Sequence, residues 1–228
     1  MTTNDMDPVW EGDIYSKGLH LNRYPFDCVV SFVYRWHPRD KPRAGVGIVE
    51  IGCGAGNNLW FAAREGFQVA GIDGSESAIA HARRRFEQDG LKADLRVGSF
   101  TKLPWADGDF DMAIDRGSLV CVNRQLQQQA VSEVHRVLRL GGVFFCNVYG
   151  DRSTSAHCGV PLADGRVSGI TEGTLVGAGS LCFSSRGDVE ALFRVGWDIL
   201  KLEHLDLDDV TSPSVIRHSE WRVIARKR

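Results

Sequence analysis

What this 228-residue sequence lacks is informative. It has no apolar run near the ~18 residues needed to cross a bilayer, so no membrane-spanning helix is expected. It has no charge excess of either sign: 27 Lys and Arg against 29 Asp and Glu leave a net charge of -2. That balance argues against an electrostatic grip on nucleic acid or on an anionic membrane. Two short basic clusters, Arg83-Arg84-Arg85 and Arg226-Lys227-Arg228, read as a solvated helix face and a frayed terminus. The six cysteines, Cys28, Cys53, Cys121, Cys146, Cys158 and Cys182, contain no C-x-x-C pair. A chain of this length has no need of staples, so free thiols in a reducing compartment are expected, and no metal site. The stretch Met1 to Pro8 lacks the basic and apolar regions of a signal peptide, which points to the cytoplasm. There is no internal repeat and no low-complexity linker, so residues 1–228 are expected to form one domain.

What is present is an alternation. Apolar, strand-like segments at 46–51, 67–72, 93–97, 110–114 and 143–148 are separated by helical patterns at 57–65, 75–88 and 125–138. An earlier apolar stretch, 26–36, also reads as a helix, within an N-terminal helical cap at 1–40. Later come a helix at 185–194 and strands at 197–205 and 215–225. Alternating strands and helices imply βαβ units in an α/β, doubly wound, mostly parallel sheet. Only residues 206–214 join the last two strands, too few for a parallel crossover, so one reversed strand is expected at the sheet edge. Residues 150–182, rich in Gly and Ser, are too long for an ordinary connection and read as a loop insertion over the active site.

The informative unit is Val49-Glu50-Ile51-Gly52-Cys53-Gly54-Ala55-Gly56-Asn57-Asn58. It follows a predicted strand and opens a predicted helix, where glycines allow positive φ and close approach of backbone to ligand. The next strand ends at Asp73, about 20 residues on, where a carboxylate can accept hydrogen bonds from a ribose diol. The order of strand, glycine turn, helix, strand and acid implies an adenosine-containing cofactor. A dinucleotide fingerprint needs a third glycine at position 57, and the chain has Asn57 there. An NAD(P)-dependent oxidoreductase is therefore the lesser alternative, and a noncatalytic S-adenosylmethionine-binding module ranks below it.

The sequence resembles the class I S-adenosylmethionine-dependent methyltransferases. Glu50 to Gly56 looks like their first motif and Gly71-Ile72-Asp73-Gly74-Ser75 like their ribose motif. Leu103-Pro104-Trp105 through Phe110 to Asp115 looks like the segment entering the fourth strand. Arg136-Val137-Leu138-Arg139-Leu140-Gly141-Gly142 looks like the stretch before the fifth. The resemblance implies a Rossmann-like, seven-stranded sheet whose last strand is antiparallel, and S-adenosyl-L-methionine as cofactor. It implies that Gly52, Gly54 and Gly56, with Glu50, Cys53 and Asn57 around them, line the methionine portion. Asp73 would hold the ribose hydroxyls, with Gly74 and Ser75 beside the adenosine. Ser99 and Phe100 stand where the family often has an acid facing the adenine, and Asp115 and Arg116 would lie beneath the sulfonium. Leu140 replaces the usual proline and is expected to be harmless.

The acceptor is expected to be a small molecule methylated on O or N, taken by a monomer or a homodimer. Two segments can cover it: residues 15–25 and the 150–182 loop. With the strand ends beneath them they give Tyr15, Arg116, Tyr149 and His157 as catalytic candidates, with Asp151 and Arg152 nearby. Tyr15 and Tyr24 read equally well as packing against the sheet edge, and His157 as a solvated loop residue. His135 reads as structural. The Arg116-Gly117-Ser118 stretch lacks the proline- and aromatic-containing tetrapeptide of enzymes that methylate amino groups of DNA bases. Soft-ion methylation would need converging cysteines, and their spacing shows no ligand motif.

Overall fold

The computed structural model describes residues 7–228, so the first six residues of the expected 1–40 cap, and most of the Met1 to Pro8 stretch, lie outside the described residues. The elements follow the alternation read from the sequence. They are α1 (Asp27–Trp36), β1 (Gly47–Ile51), α2 (Asn57–Arg64), β2 (Gln68–Asp73), α3 (Glu76–Gln88), β3 (Asp94–Val97) and β4 (Phe110–Arg116). After these come α4 (Arg124–Val137), β5 (Leu138–Tyr149), β6 (Val160–Pro161), β7 (Val167–Ser168), α5 (Arg186–Leu192), β8 (Trp197–Asp209) and β9 (Ile216–Lys227).

The main sheet has seven strands in the order β3-β2-β1-β4-β5-β9-β8. The first five run parallel, and β9 is antiparallel to both neighbours. The last strand in the chain is thus the reversed one, as expected, but it is not at the edge. It inserts between β5 and β8, which corrects the edge placement. A β8-β9 hairpin can dock by either strand, and the local sequence does not choose between them.

Strand residues alternate between two apolar layers, as a sheet covered on both faces requires. Ile48, Met112, Ile114, Phe145 and Ile224 pack with α1, α2 and α3. Val49, Ala113, Phe144, Cys146 and Val223 pack with α4 and α5. Their one-residue offsets are the period of a strand. His135, read as structural, packs edge-on against Trp197 and lies 3.1 Å from the Gly196 carbonyl oxygen.

Three further sequence expectations need correction or detail. The terminal Arg226-Lys227 pair is not frayed: Arg226 is in register with Val143 of β5 and Asp198 of β8. Residues 150–182 are folded, with a helical turn at Thr154–Ala156, the β6-β7 hairpin, and Ile170, Leu175 and Leu181 buried in the core. All six cysteines are free. Among the described residues, no helix is long and apolar enough to cross a membrane.

Candidate cofactor and acceptor cavity

The chain reverses its direction of sheet growth between β1 and β4, and ligands of such sheets bind at that switch, beyond the carboxyl ends of the strands. A cavity of about 400 Å³ lies there. All five parallel strands contribute: Glu50 and Gly52 to Ala55 at β1, Asp73 and Gly74 at β2, Gly98 to Phe100 at β3, Arg116 to Ser118 at β4, and Tyr149 at β5. Trp10, Tyr15, His20, Asn22 and Phe26 close it from the N-terminal side, and Thr174 and Leu175 from the 150–182 segment.

The glycine turn is shaped by what presses on it. Gly52 has φ 60°, and a Cβ there would sit 2.0 Å from Ser118 Cβ. Gly54 has φ 50°, and a Cβ there would meet the Tyr15 hydroxyl at 2.6 Å. Both positions need the left-handed backbone and the missing side chain at once. Gly56 differs. Its absent Cβ faces Ala82 of α3 at 3.1 Å, so this glycine lets two helices approach and does not line the cavity.

Asp73 ties the turn to the second strand. Its Oδ2 accepts the Gly54 amide at 2.8 Å and its Oδ1 the Ser75 amide at 2.9 Å. Burial pushes its carboxyl up, against the pull of those two amides. Glu50 is the more unusual acid. Asn58 Nδ2 donates to its Oε1 at 2.7 Å, while its Oε2 is buried without a partner. Burial pushes the Glu50 carboxyl up to about 8, despite the Asn58 hydrogen bond. An orphaned carboxylate oxygen is costly unless a ligand cation completes it.

Not every expected residue faces the cavity. Ser75 is fully buried as the N-cap of α3, accepting the Ala78 amide at 2.9 Å. Asp115 is fully buried and accepts the Ser118 amide at 2.9 Å and the Leu119 amide at 3.1 Å. It shapes the turn after β4 and does not line the cavity. Ser99 lines it, but its hydroxyl is 2.7 Å from that of Thr101. His157, Asp151 and Arg152 are exposed and outside the lining, and Arg152 pairs with Asp206 at 2.8 Å. Tyr15 lines the cavity, whereas Tyr24 is 71% exposed.

Tyr149 and Arg116 lie side by side at the strand ends. Burial pushes the Tyr149 phenol up to about 12, so it is a hydrogen-bond donor at neutral pH and not a base. Asn58, which the motifs did not single out, accepts the Phe26 amide at 3.0 Å while holding Glu50, and the expected lining residue Asn57 donates to the Tyr24 carbonyl at 2.9 Å. The asparagine pair that interrupts the glycine pattern thus anchors the N-terminal segment over the cavity. Thr174 and Leu175 carried no sequence signal, because only tertiary packing brings them in. Among the described residues, no group of three or more His, Cys, Asp and Glu is placed to hold a metal ion.

Residues 48–142 match a family described as a methyltransferase domain. A probable S-adenosylmethionine-dependent methyltransferase of Mycolicibacterium smegmatis is 37% identical over 101 residues, covering 44% of this chain and 37% of that protein. A ubiquinone biosynthesis O-methyltransferase of a Ruegeria species is 30% identical over 143 residues, covering 60% of this chain and 57% of that protein. The matches thus span less than two thirds of the length of these curated relatives. The crystal structure of an S-adenosylmethionine-dependent methyltransferase from Methanosarcina mazei has the same fold, with a TM-score of 0.69 at 21% identity over 90% of this chain and 98% of that one.

Proposed function

Because this chain carries a class I S-adenosylmethionine-dependent methyltransferase domain, we propose that it transfers a methyl group from that cofactor to oxygen or nitrogen of a small molecule. When bound, S-adenosylmethionine supplies a methyl group on a positively charged sulfur, open to in-line displacement. The observation that carries the reading is the pairing of a glycine cradle with a buried, half-satisfied Glu50. A cationic amino-acid end matches that carboxylate, and the left-handed backbone of Gly52 and Gly54 folds the turn tightly beside it. Asp73 retains acceptor capacity on both oxygens for a ribose diol. Cys53, Asn57, Gly74, Ser99 and Phe100 supply the rest of the cofactor wall.

The chain's own contribution is alignment and exclusion of water. Holding acceptor and donor in register can supply roughly 7–11 kcal/mol of a displacement barrier. In this reading residues 7–40 act as a cap, with Tyr15 resting on Gly54, and the 150–182 segment covers the acceptor from the other side. Tyr15 and Tyr149 both stay protonated, their phenols pushed up chiefly by burial, so they orient and do not deprotonate. A neutral amine needs no base, whereas a hydroxyl acceptor usually does. The free thiols suit the cytoplasm expected from the sequence.

Calorimetric titration with S-adenosylhomocysteine tests the cofactor assignment. Asp73→Ala should weaken binding at least about tenfold, roughly 1.4 kcal/mol. Unchanged affinity removes Asp73 from the ribose role, and tight NAD binding without S-adenosylhomocysteine binding overturns the whole reading.

A further inference from the structure

The sheet order puts Asp73 on one side of the glycine turn and the ends of β4 and β5 on the other. On that second side stands a cation with unused hydrogen-bonding capacity. Arg116 lies over the Phe26 ring, 4.3 Å from its centroid, and its side chain is 17% exposed. Its Nε is buried without a partner. Its nearest carboxylate oxygen, on Glu220, is 3.9 Å from its Nη2, beyond hydrogen-bond reach.

That carboxylate is already engaged. Arg222 holds Glu220 at 2.6 Å, and His218 Nε2 lies 3.5 Å from it. Two guanidinium groups therefore share this carboxylate, with Arg222 the nearer, so Arg116 has no carboxylate of its own within hydrogen-bond reach at the cavity wall. Glu50 does not cancel the Arg116 charge: without cofactor, burial keeps that carboxyl protonated up to about 8, and with cofactor its charge is matched by the cofactor's ammonium. Beside Arg116, the Tyr149 hydroxyl rests near Gly117 and donates no hydrogen bond to another described residue. The neighbouring lining residues Phe26, Val122 and Leu175 are apolar.

A half-buried guanidinium with free planar donors and an adjacent phenol hydroxyl match a carboxylate, whereas a neutral ligand would leave the charge unmatched. We propose that the methyl acceptor is a small carboxylic acid, its carboxylate held by Arg116 and Tyr149 and its apolar body lying against Phe26 and Leu175. This rests on the methyltransferase reading and narrows its substrate class. A carboxylate reaches Arg116 from one of two sources, the acceptor or the amino-acid end of the cofactor. Sheet order favours the acceptor, since Arg116 and Tyr149 lie one and two strands beyond the turn that cradles the cofactor.

The test uses the full chain saturated with S-adenosylhomocysteine and titrated with benzoate and, separately, with its neutral isostere benzamide. Benzoate should bind at least about tenfold more tightly than benzamide, the margin a charge-assisted pair supplies. Arg116→Gln should abolish that preference and leave S-adenosylhomocysteine affinity within about threefold. Tyr149→Phe, which keeps the ring, should reduce benzoate affinity a few-fold, and Arg116→Lys should retain part of it. Equal binding of benzoate and benzamide overturns the proposal. So does a tenfold loss of S-adenosylhomocysteine affinity in Arg116→Gln, which assigns the arginine to the cofactor's carboxylate. A wild-type chain that does not bind S-adenosylhomocysteine at all overturns the methyltransferase reading, and this proposal with it.

Discussion

Glu50 shows how a single buried group couples binding to protonation. Its carboxyl is pushed up to about 8 by burial, so in the ligand-free protein at pH 7 it carries a proton. A cation placed beside it favours the carboxylate, so cofactor binding should expel that proton. Calorimetry of S-adenosylhomocysteine binding at pH 7, in buffers of different ionisation enthalpy, should therefore show proton release. The release should fade well above pH 8, where Glu50 is already ionised, and should vanish in Glu50→Gln. A binding enthalpy independent of buffer at pH 7 would rule this out. The sequence identified Glu50 and Asp73 as acids at the right spacing. It could not tell that one has both oxygens engaged by amides while the other keeps an orphaned oxygen, because that difference lies in what α2 and the loop after β2 place around them.

Among the elements, the N-terminal segment is the one held on by side chains. Glu11, in the helical turn Trp10–Tyr15, receives hydrogen bonds from the Ser75 hydroxyl and from the Ser77 hydroxyl at 2.6 Å, at the start of α3. Those hydroxyl bonds lower the Glu11 carboxyl, and its charge also suits the N-terminal end of the α3 dipole. Asn57 and Asn58 clamp Tyr24 and Phe26, and Arg85 of α3 donates to the Asn22 carbonyl at 3.0 Å. A segment fastened by a few polar contacts opens more readily than the strands beneath it. Glu11→Ala should raise amide exchange across residues 10–24, leave β1, β4 and β5 protected, and shift the melting temperature by less than about 3 °C. Unchanged exchange across residues 10–24 would show that the latch does not hold the segment. The sequence marked this region as a helical cap able to cover the acceptor, but not what fastens it. Its latch partners are more than 60 residues away in the chain, beyond the reach of local pattern.

For the molecule as a whole, the insertion of β9 between β5 and β8 is decisive. Its register sets Glu220 opposite Tyr149, bringing a carboxylate beneath the cavity between Arg116, Arg222 and His218. Burial alone would push the Glu220 carboxyl up, but the His218 hydrogen bond and the charges of Arg116 and Arg222 outweigh it and hold it at about 2. A carboxyl lowered on folding contributes stability above its unfolded value of about 4.3 and loses it as pH falls toward the folded value. Thermal stability should therefore decline between about pH 5 and pH 2, and the decline should be shallower in Glu220→Gln. The same variant should melt at a lower temperature at pH 7, because it leaves two arginines without their shared counter-charge. Identical acid profiles for variant and wild type would exclude Glu220 as a contributor.

The sequence by itself determined the strand-helix alternation, the glycine turn with its two acids, and hence the cofactor half of the chemistry. Those features are local: a period of two or about 3.6 residues, a conformation only glycine adopts easily, a spacing of some 20 residues along one βαβ unit. Tertiary structure alone decided that β9 and not β8 pairs with β5. It turned Gly56, Ser75 and Asp115 away from the cavity and His157 out to solvent. It also brought Phe26, Arg116, Tyr149 and Leu175, the proposed acceptor wall, together along one cavity. Such a wall has no sequence period, because it forms only where separate strand ends and loops converge on one space.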